Sequence, residues 1–277
     1  MITEKAYAKL NLTLSITGRL PDGYHSLETV MQTISLCDDV FVSRAAAINV
    51  ECGELSGVDN LAYKAAKAFF RATGINGGAD ITVTKRIPVC GGFGGGSADA
   101  AAVLRALNVI YDARLSAEEL RMIALPLGAD VPFLISGGTA LCTGKGELIA
   151  PVKNNAPLFY CVCAPGEGVS TARMFSLADN CSFFPPRGGE MTRALDSGDI
   201  YAVARALHND FADICASVCP HTFMLRAALV ANGALASSLT GSGSGCFGVF
   251  ADLQSAQAAS AALAAECFAA VAVPAGD

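Results

Sequence analysis

Apolar and polar residues alternate strictly over residues 10–16, with Leu10, Leu12, Leu14 and Ile16 on one side and Lys9, Asn11 and Thr13 on the other. A period of two predicts a strand with one buried face. Its polar face either lines a site or meets solvent, where lysine is usually found. Residues 18–25 read as a loop or hairpin end, marked by Pro21-Asp22-Gly23 turn chemistry. Strand-like runs follow at 28–36 and 40–43, with a third near 48–51. Residues 60–73 switch to helical spacing through Leu61, Ala65, Ala68 and Phe69, and stop at Gly74. A strand at 81–84 leads into a glycine-rich loop, then a helix over 100–111. Ser116 and Glu119 stand at capping-box spacing, so another helix opens there. Pro132 falls in the first turn of a short helix after Gly128-Ala129-Asp130. Gly137-Gly138 then turns the chain into strands at 139–143 and 147–149.

A second pattern begins near Leu158, with a strand over 158–164 and a further segment over 169–177. Helical stretches over 200–211 and 221–231 precede a strand, turn and strand over 236–250. A helix at 254–266 and a strand at 268–273 close the chain. Strands with helices on one side make an α+β arrangement. Pro151, Asn154, Asn155 and Pro157 mark a boundary, so the expected domains are 1–155 and 156–277.

Composition narrows the choice of partners. Hydrophobic residues make up 52% and charged residues 16% of the 277, ample for a buried core. The net charge is −6 and no dense Lys/Arg run occurs, which argues against nucleic acid and anionic membranes as partners. Eleven cysteines without a CxxC pair read as reduced thiols, Cys161 and Cys163 as two core thiols on one strand face. The start carries no apolar export signal and no 18-residue apolar run appears, so the expected compartment is the cytoplasm.

Five glycines in the six positions 91–96 cannot build a core, because they bring no side chain to bury. They let the backbone take positive φ and let N–H groups approach a ligand. A glycine loop feeding a helix start is an anion site, and the chain lacks the Lys-Ser/Thr ending of a Walker A loop. The loop therefore reads as a phosphate cradle, with Ser97 and Asp99 as N-cap candidates.

Taken together, Ala8-Lys9-Leu10-Asn11-Leu12, the segment 19–25, the glycine loop, Gly128-Ala129-Asp130-Val131-Pro132-Phe133, Gly144-Lys145-Gly146-Glu147 and the turn 240–245 resemble the GHMP kinase family. The motifs span essentially the whole chain in the family's order. The resemblance implies an α+β GHMP kinase two-domain fold, with a ribosomal protein S5 domain 2-like N-terminal domain and a ferredoxin-like C-terminal domain. It implies an ATP-dependent transferase of isoprenoid (terpenoid) biosynthesis in the non-mevalonate pathway. The reaction expected is phosphorylation of the 2-hydroxyl of 4-diphosphocytidyl-2-C-methyl-D-erythritol, giving the 2-phosphate and ADP.

Residue by residue, the resemblance makes Asp130 the base for the attacking hydroxyl and Lys9 its charge-stabilising partner. The ATP phosphates would be wrapped by Pro88, Val89, Cys90, Gly91, Gly92, Phe93, Gly94, Gly95, Gly96, Ser97 and Ala98. Asn11, Tyr24, His25, Thr171, Phe175, Gly241 and Ser242 would hold the substrate, Tyr24 and Phe175 sandwiching the cytosine ring and His25 on its polar edge. Mg2+ would ride on the nucleotide, with Ser97 its hydroxyl contact and no protein metal cage. Cys90 and Phe93 replace a small residue and Leu of the usual loop, and Ala98 replaces a common Ser, removing one hydroxyl from the cradle.

The residues alone leave other readings open. Asp130 before Val131-Pro132 is an ordinary N-cap, Tyr24 a turn-packing aromatic, His25 a solvent histidine and Phe175 a core residue. Lys85 and Arg86 either reach nucleotide phosphate or face solvent, while His208 and His221 read as structural. Rival functions are a kinase of the same fold acting on homoserine or mevalonate, and a non-catalytic sensor that binds nucleotide and sugar. Monomer and homodimer are both compatible with the sequence.

Overall fold

The spine of the protein is a long antiparallel hairpin, β1 (Ile2–Arg19) and β2 (His25–Ala45), in a computed structural model that describes residues 1–181 and 185–276. The two runs at 28–36 and 40–43 prove to be one strand. Asp38 and Asp39, which break the apolar pattern between them, are buried and neutralised. Asp38 accepts from Lys85 Nζ at 2.5 Å and from the Ile87 N–H at 2.8 Å, and Asp39 pairs with Lys5 and Arg86. Their partners lie far along the chain, so the alternation could not show that the strand continues.

The hairpin is completed into a seven-stranded sheet by β3 (Asn49–Glu51), β4 (Gly78–Thr84), β5 (Thr139–Gly144), β6 (Leu148–Pro151) and β8 (His208–Asn209). Between them, α1 (Leu61–Thr73) has Asn60 accepting from the Ala62 N–H at its start and Gly74 in the left-handed region at its end. The next helix, α2 (Gly95–Ile110), starts five residues earlier than its apolar spacing suggests. Its N-cap is Gly94, not Ser97 or Asp99, so the helix begins inside the glycine loop. Alanines at 98, 100, 101, 102 and 106 are buried, which lets the helix lie close on β1 and β2. The Ser116–Glu119 capping box opens α3 (Ala117–Ala124), and Pro132 sits in the first turn of α4 (Val131–Ser136).

The second half adds β7 (Phe159–Ala164), α5 (Thr171–Ala178), α6 (Gly188–Ser197) and α7 (Ile200–Ala206). After β8 come α8 (Ala212–Val218), α9 (Pro220–Ala231), β9 (Ala236–Leu239), β10 (Cys246–Phe250), α10 (Leu253–Leu263) and β11 (Phe268–Ala272). The expected helix over 200–211 is interrupted. Leu207 leaves helical geometry at ψ 132°, and His208 and Asn209 pair in parallel with Thr13 and Leu14. Asn209 also donates to the carbonyls of Leu239 and Gly241, so a polar tie overrides the helical spacing.

The second sheet runs β11–β7–β10–β9 with every neighbour antiparallel. In chain order that is 4-1-3-2, the ferredoxin-like arrangement expected for this half. The main core is shared between the sheets: Leu10, Leu12 and Met31 of the hairpin belong with Tyr160, Val162 and Phe247. Inside it the Tyr160 hydroxyl donates to Gln32 Oε1 at 2.5 Å, satisfying both polar groups. The eleven cysteines are free thiols, and Cys161 and Cys163 lie on one face with sulfurs 4.0 Å apart. No helix among the described residues is long and apolar enough to cross a membrane.

Candidate active site

The polar face of β1 does not meet solvent. Lys9 and Asn11 are each 2% exposed and stand on the floor of a cleft of about 1750 Å³. Lys9 Nζ donates to Asn11 Oδ1 at 2.6 Å and lies 3.5 Å from Asp130 Oδ2. The same Asn11 oxygen accepts from the Gly241 N–H at 2.7 Å, and its Nδ2 donates to Thr29 Oγ1 at 2.8 Å. With a longer bond from Thr240 Oγ1 at 3.4 Å as a third donor to that oxygen, the amide is oriented and the ammonium is aimed at Asp130.

Asp130 occupies the N-cap position of α4, yet its side chain caps nothing. The carboxylate instead points along the cleft, a third exposed, with Lys9 as its ion-pair partner. An open carboxylate beside a buried ammonium can accept a proton with a fixed cation at hand.

One wall is the glycine loop. Cys90, Gly92 and Gly94 all take positive φ, near 59°, 76° and 75°. The carbonyls of Gly91 and Phe93 turn away from the cleft to accept from the N–H groups of Gly245 and Lys9. That leaves the N–H groups that open α2 facing inward without helical acceptors, at the positive end of the helix dipole. The Ala98 N–H is already spent on the Gly94 carbonyl, and its side chain lines a separate hollow of about 310 Å³ behind the loop. Ala98 therefore stands apart from the other loop residues expected to face phosphate. Phe93 contributes backbone only, its ring being fully buried under Gly91 and Gly245. Cys90 is exposed, packed against Gly168.

The far end carries the aromatic residues. His25 stacks on Phe175 with ring centroids 4.9 Å apart, and Phe175 meets Phe211 edge-on. Tyr24 is 63% exposed and its ring is covered by Lys145 Nζ at 4.1 Å. All four rings line the cleft, but the partner stacked on Phe175 is His25, not Tyr24. Ser242 Oγ donates to Thr171 Oγ1 at 3.0 Å, so the turn after β9 meets the first turn of α5 at the rim.

Sequence reasoning passed over several lining residues. Thr29, Lys145 and Asp179 reach the cleft, as do Cys52, Asn60 and Leu61 at its other end. Lys85 faces the cleft as well, tied to buried Asp38 and Asp99. Burial pushes the Asp99 carboxyl up to about 7, against the downward pull of Lys85. Lys85 is itself shifted upward, because Asp99 and Asp38 together outweigh its desolvation. One Asp99 oxygen, Oδ1, has no hydrogen-bond partner among the described residues.

Family models for the GHMP kinase N-terminal and C-terminal domains match residues 60–138 and 191–269. The chain is 42% identical over 249 residues to a 4-diphosphocytidyl-2-C-methyl-D-erythritol kinase of Desulfitobacterium hafniense, covering 88% of this chain and 85% of that one. A kinase of the same description from Clostridium botulinum is 38% identical over 258 residues, covering 91% and 92%. A crystal structure of 4-(cytidine 5'-diphospho)-2C-methyl-D-erythritol kinase superposes with a TM-score of 0.83 at 32% identity, covering 99% and 100%. A homoserine kinase from Cytophaga hutchinsonii reaches a TM-score of 0.79 at 18% identity, a likeness of fold. From the amide-lined loop, the Lys9–Asp130 pair and these matches, the chain belongs to the GHMP kinase family.

Proposed function

We propose that the protein transfers the γ-phosphoryl group of ATP to the 2-hydroxyl of 4-diphosphocytidyl-2-C-methyl-D-erythritol, as the names of its relatives at 42% and 38% identity suggest. The observation that carries this reading is Asp130: a carboxylate that caps nothing, 3.5 Å from a buried lysine, in the cleft that the opening of α2 also lines. Phosphoryl transfer asks mainly for positioning and charge neutralisation. The amides of residues 91–97 receive the phosphates, Asp130 accepts the proton of the attacking hydroxyl, and Lys9 offsets the charge that moves. Asn11 orients Lys9 and, with Gly241, Ser242 and Thr171, borders the sugar. Tyr24, His25 and Phe175 hold the cytosine end.

Magnesium suits the donor set. Ser97 and Asp130 offer hard oxygens in the cleft, and among the described residues no group of three His, Cys, Asp or Glu is placed to hold a metal. An ion bound mostly by phosphate needs one or two such contacts, and Ser97 would supply one. When bound it neutralises charge on the triphosphate. The same reading places the protein in the cytoplasm, working on a small molecule without nucleic acid or membrane, and divides it at residues 155 and 156.

The test is ADP release with magnesium-ATP, offering the cytidine compound beside homoserine and mevalonate. Turnover with the cytidine compound alone supports the proposal. Turnover with another alcohol removes the substrate roles, and ATP binding without turnover on any of them brings forward a non-catalytic sensor.

A further inference from the structure

We infer that Asp179 is a positioning residue that decides which ring nitrogen of His25 is free to meet a ligand, and so makes the cleft read an amino group in preference to a carbonyl. This rests on the cytidine-linked substrate proposed above. His25 Nε2 lies 2.9 Å from Asp179 Oδ1, and Arg19 Nη1 lies 3.5 Å from the same oxygen. A carboxylate only accepts, so in the neutral imidazole Nε2 carries the proton and Nδ1 keeps its lone pair. An acceptor there matches the exocyclic amine of cytosine and opposes the carbonyl that uracil presents at the same place.

Helix stability does not account for Asp179. It follows the last residue of α5, where the negative end of the helix dipole disfavours a carboxylate. What holds it are two side chains of the β1–β2 hairpin, Arg19 and His25, the second only 12% exposed. His25 is fixed from both directions: its ring lies on Phe175, one turn back on α5, and its edge is bonded to Asp179. The imidazole therefore cannot turn over without losing either the stack or the hydrogen bond. A bond of this kind acts through another residue, as the outer partners of a catalytic or ligating histidine do.

The test compares the wild-type protein with Asp179→Ala and Asp179→Glu, using magnesium-ATP and either the cytidine-linked substrate or its uridine-linked counterpart. The wild type is expected to prefer the cytidine compound by at least about tenfold. Asp179→Ala should raise KM for it about tenfold, leave kcat and the KM for ATP within about twofold, and reduce the preference to within about threefold of parity. Asp179→Glu, which keeps an acceptor-only partner, should restore most of the preference. A preference that survives unchanged in Asp179→Ala overturns the inference, whether or not KM moves. A wild type that phosphorylates neither compound instead overturns the proposed function and takes the inference with it.

Discussion

Lys9 is 2% exposed on a strand whose alternation left it to either solvent or a site. Period two sorts residues onto faces without saying what each face meets. The answer lay in Asn11, Asp130 and Gly241, two of them more than a hundred residues away. Asp130 was ambiguous for the opposite reason. Its neighbours Val131 and Pro132 signal a cap, and only the fold shows that the backbone takes the cap position while the side chain does not cap. Asp130→Asn keeps the shape and removes the proton acceptor. It should cut kcat by about 10²–10⁴-fold and leave the KM for ATP near its wild-type value, in the ADP-release assay. Wild-type turnover in that variant would remove Asp130 from the chemistry. Asp99 makes a prediction about pH. Its carboxyl titrates near 7 in the fold and at 3.8 in the unfolded chain, so between those values the fold holds a proton that the unfolded chain releases. Its burial costs nothing below about pH 4 and progressively more as pH rises to 7. Relative to the wild type, Asp99→Asn should therefore gain stability between pH 5 and pH 8, by more than roughly 1 kcal/mol. Urea unfolding at both pH values measures it, and a constant difference would mean that Lys85 keeps Asp99 ionised throughout.

Among the elements, the glycine loop and α2 act as one device. The loop's composition announced a backbone free to take positive φ, and that part was legible because glycine has few other reasons to cluster. The start of α2 was not, since Gly95 and Gly96 are poor helix formers and the tertiary contacts of the loop override their propensity. Those contacts come from the turn after β9. A Cβ on Gly92 would sit 2.3 Å from the Thr240 carbonyl oxygen, and one on Gly245 would sit 2.2 Å from that of Gly91. Gly92 also takes φ near 76°, which a substituted residue resists. Gly92→Ala should consequently prise the loop from the turn and raise the KM for ATP at least about tenfold. Gly96 has only Leu61 near its Cβ position, at 3.5 Å, so Gly96→Ala should stay within about threefold. Equal effects from the two substitutions, measured as KM for ATP, would contradict the argument that loop seating matters. His25 shows the limit at this scale: its place in the hairpin turn was readable, but its stack on Phe175 joins elements 150 residues apart in the chain.

For the whole molecule, the cleft exists because two sheets are held at a fixed relation, with Lys9 and Asn11 on one and residues 241–242 after β9 of the other. The α+β order of elements was readable from periodicity, because each element buries its own stripe or face. How the halves combine was not, because nothing local in Tyr160 or Gln32 says that they will share a buried hydrogen bond. A division at residue 155 would cut the first sheet off from its own strand β8 and would not separate two cores. Leu10, Leu12 and Met31 are covered together with Tyr160, Val162 and Phe247. β8, from the second half, pairs with β1. The chain's end returns too, with the Ala275 N–H donating to the Thr33 carbonyl. Removing residues 156–277 would expose this shared apolar surface and leave Gln32 without its tyrosine, with no compensating contact in the remainder. A fragment of residues 1–155 should accordingly lack a cooperative unfolding transition, whereas the full chain should unfold in urea in one step, seen identically by circular dichroism and by tyrosine fluorescence. Two separated transitions in the full chain, or cooperative unfolding of the fragment, would show that the first sheet is stable alone. The floor of the cleft could then form without its roof, and the Asn11–Gly241 bond would join two independent bodies instead of closing one.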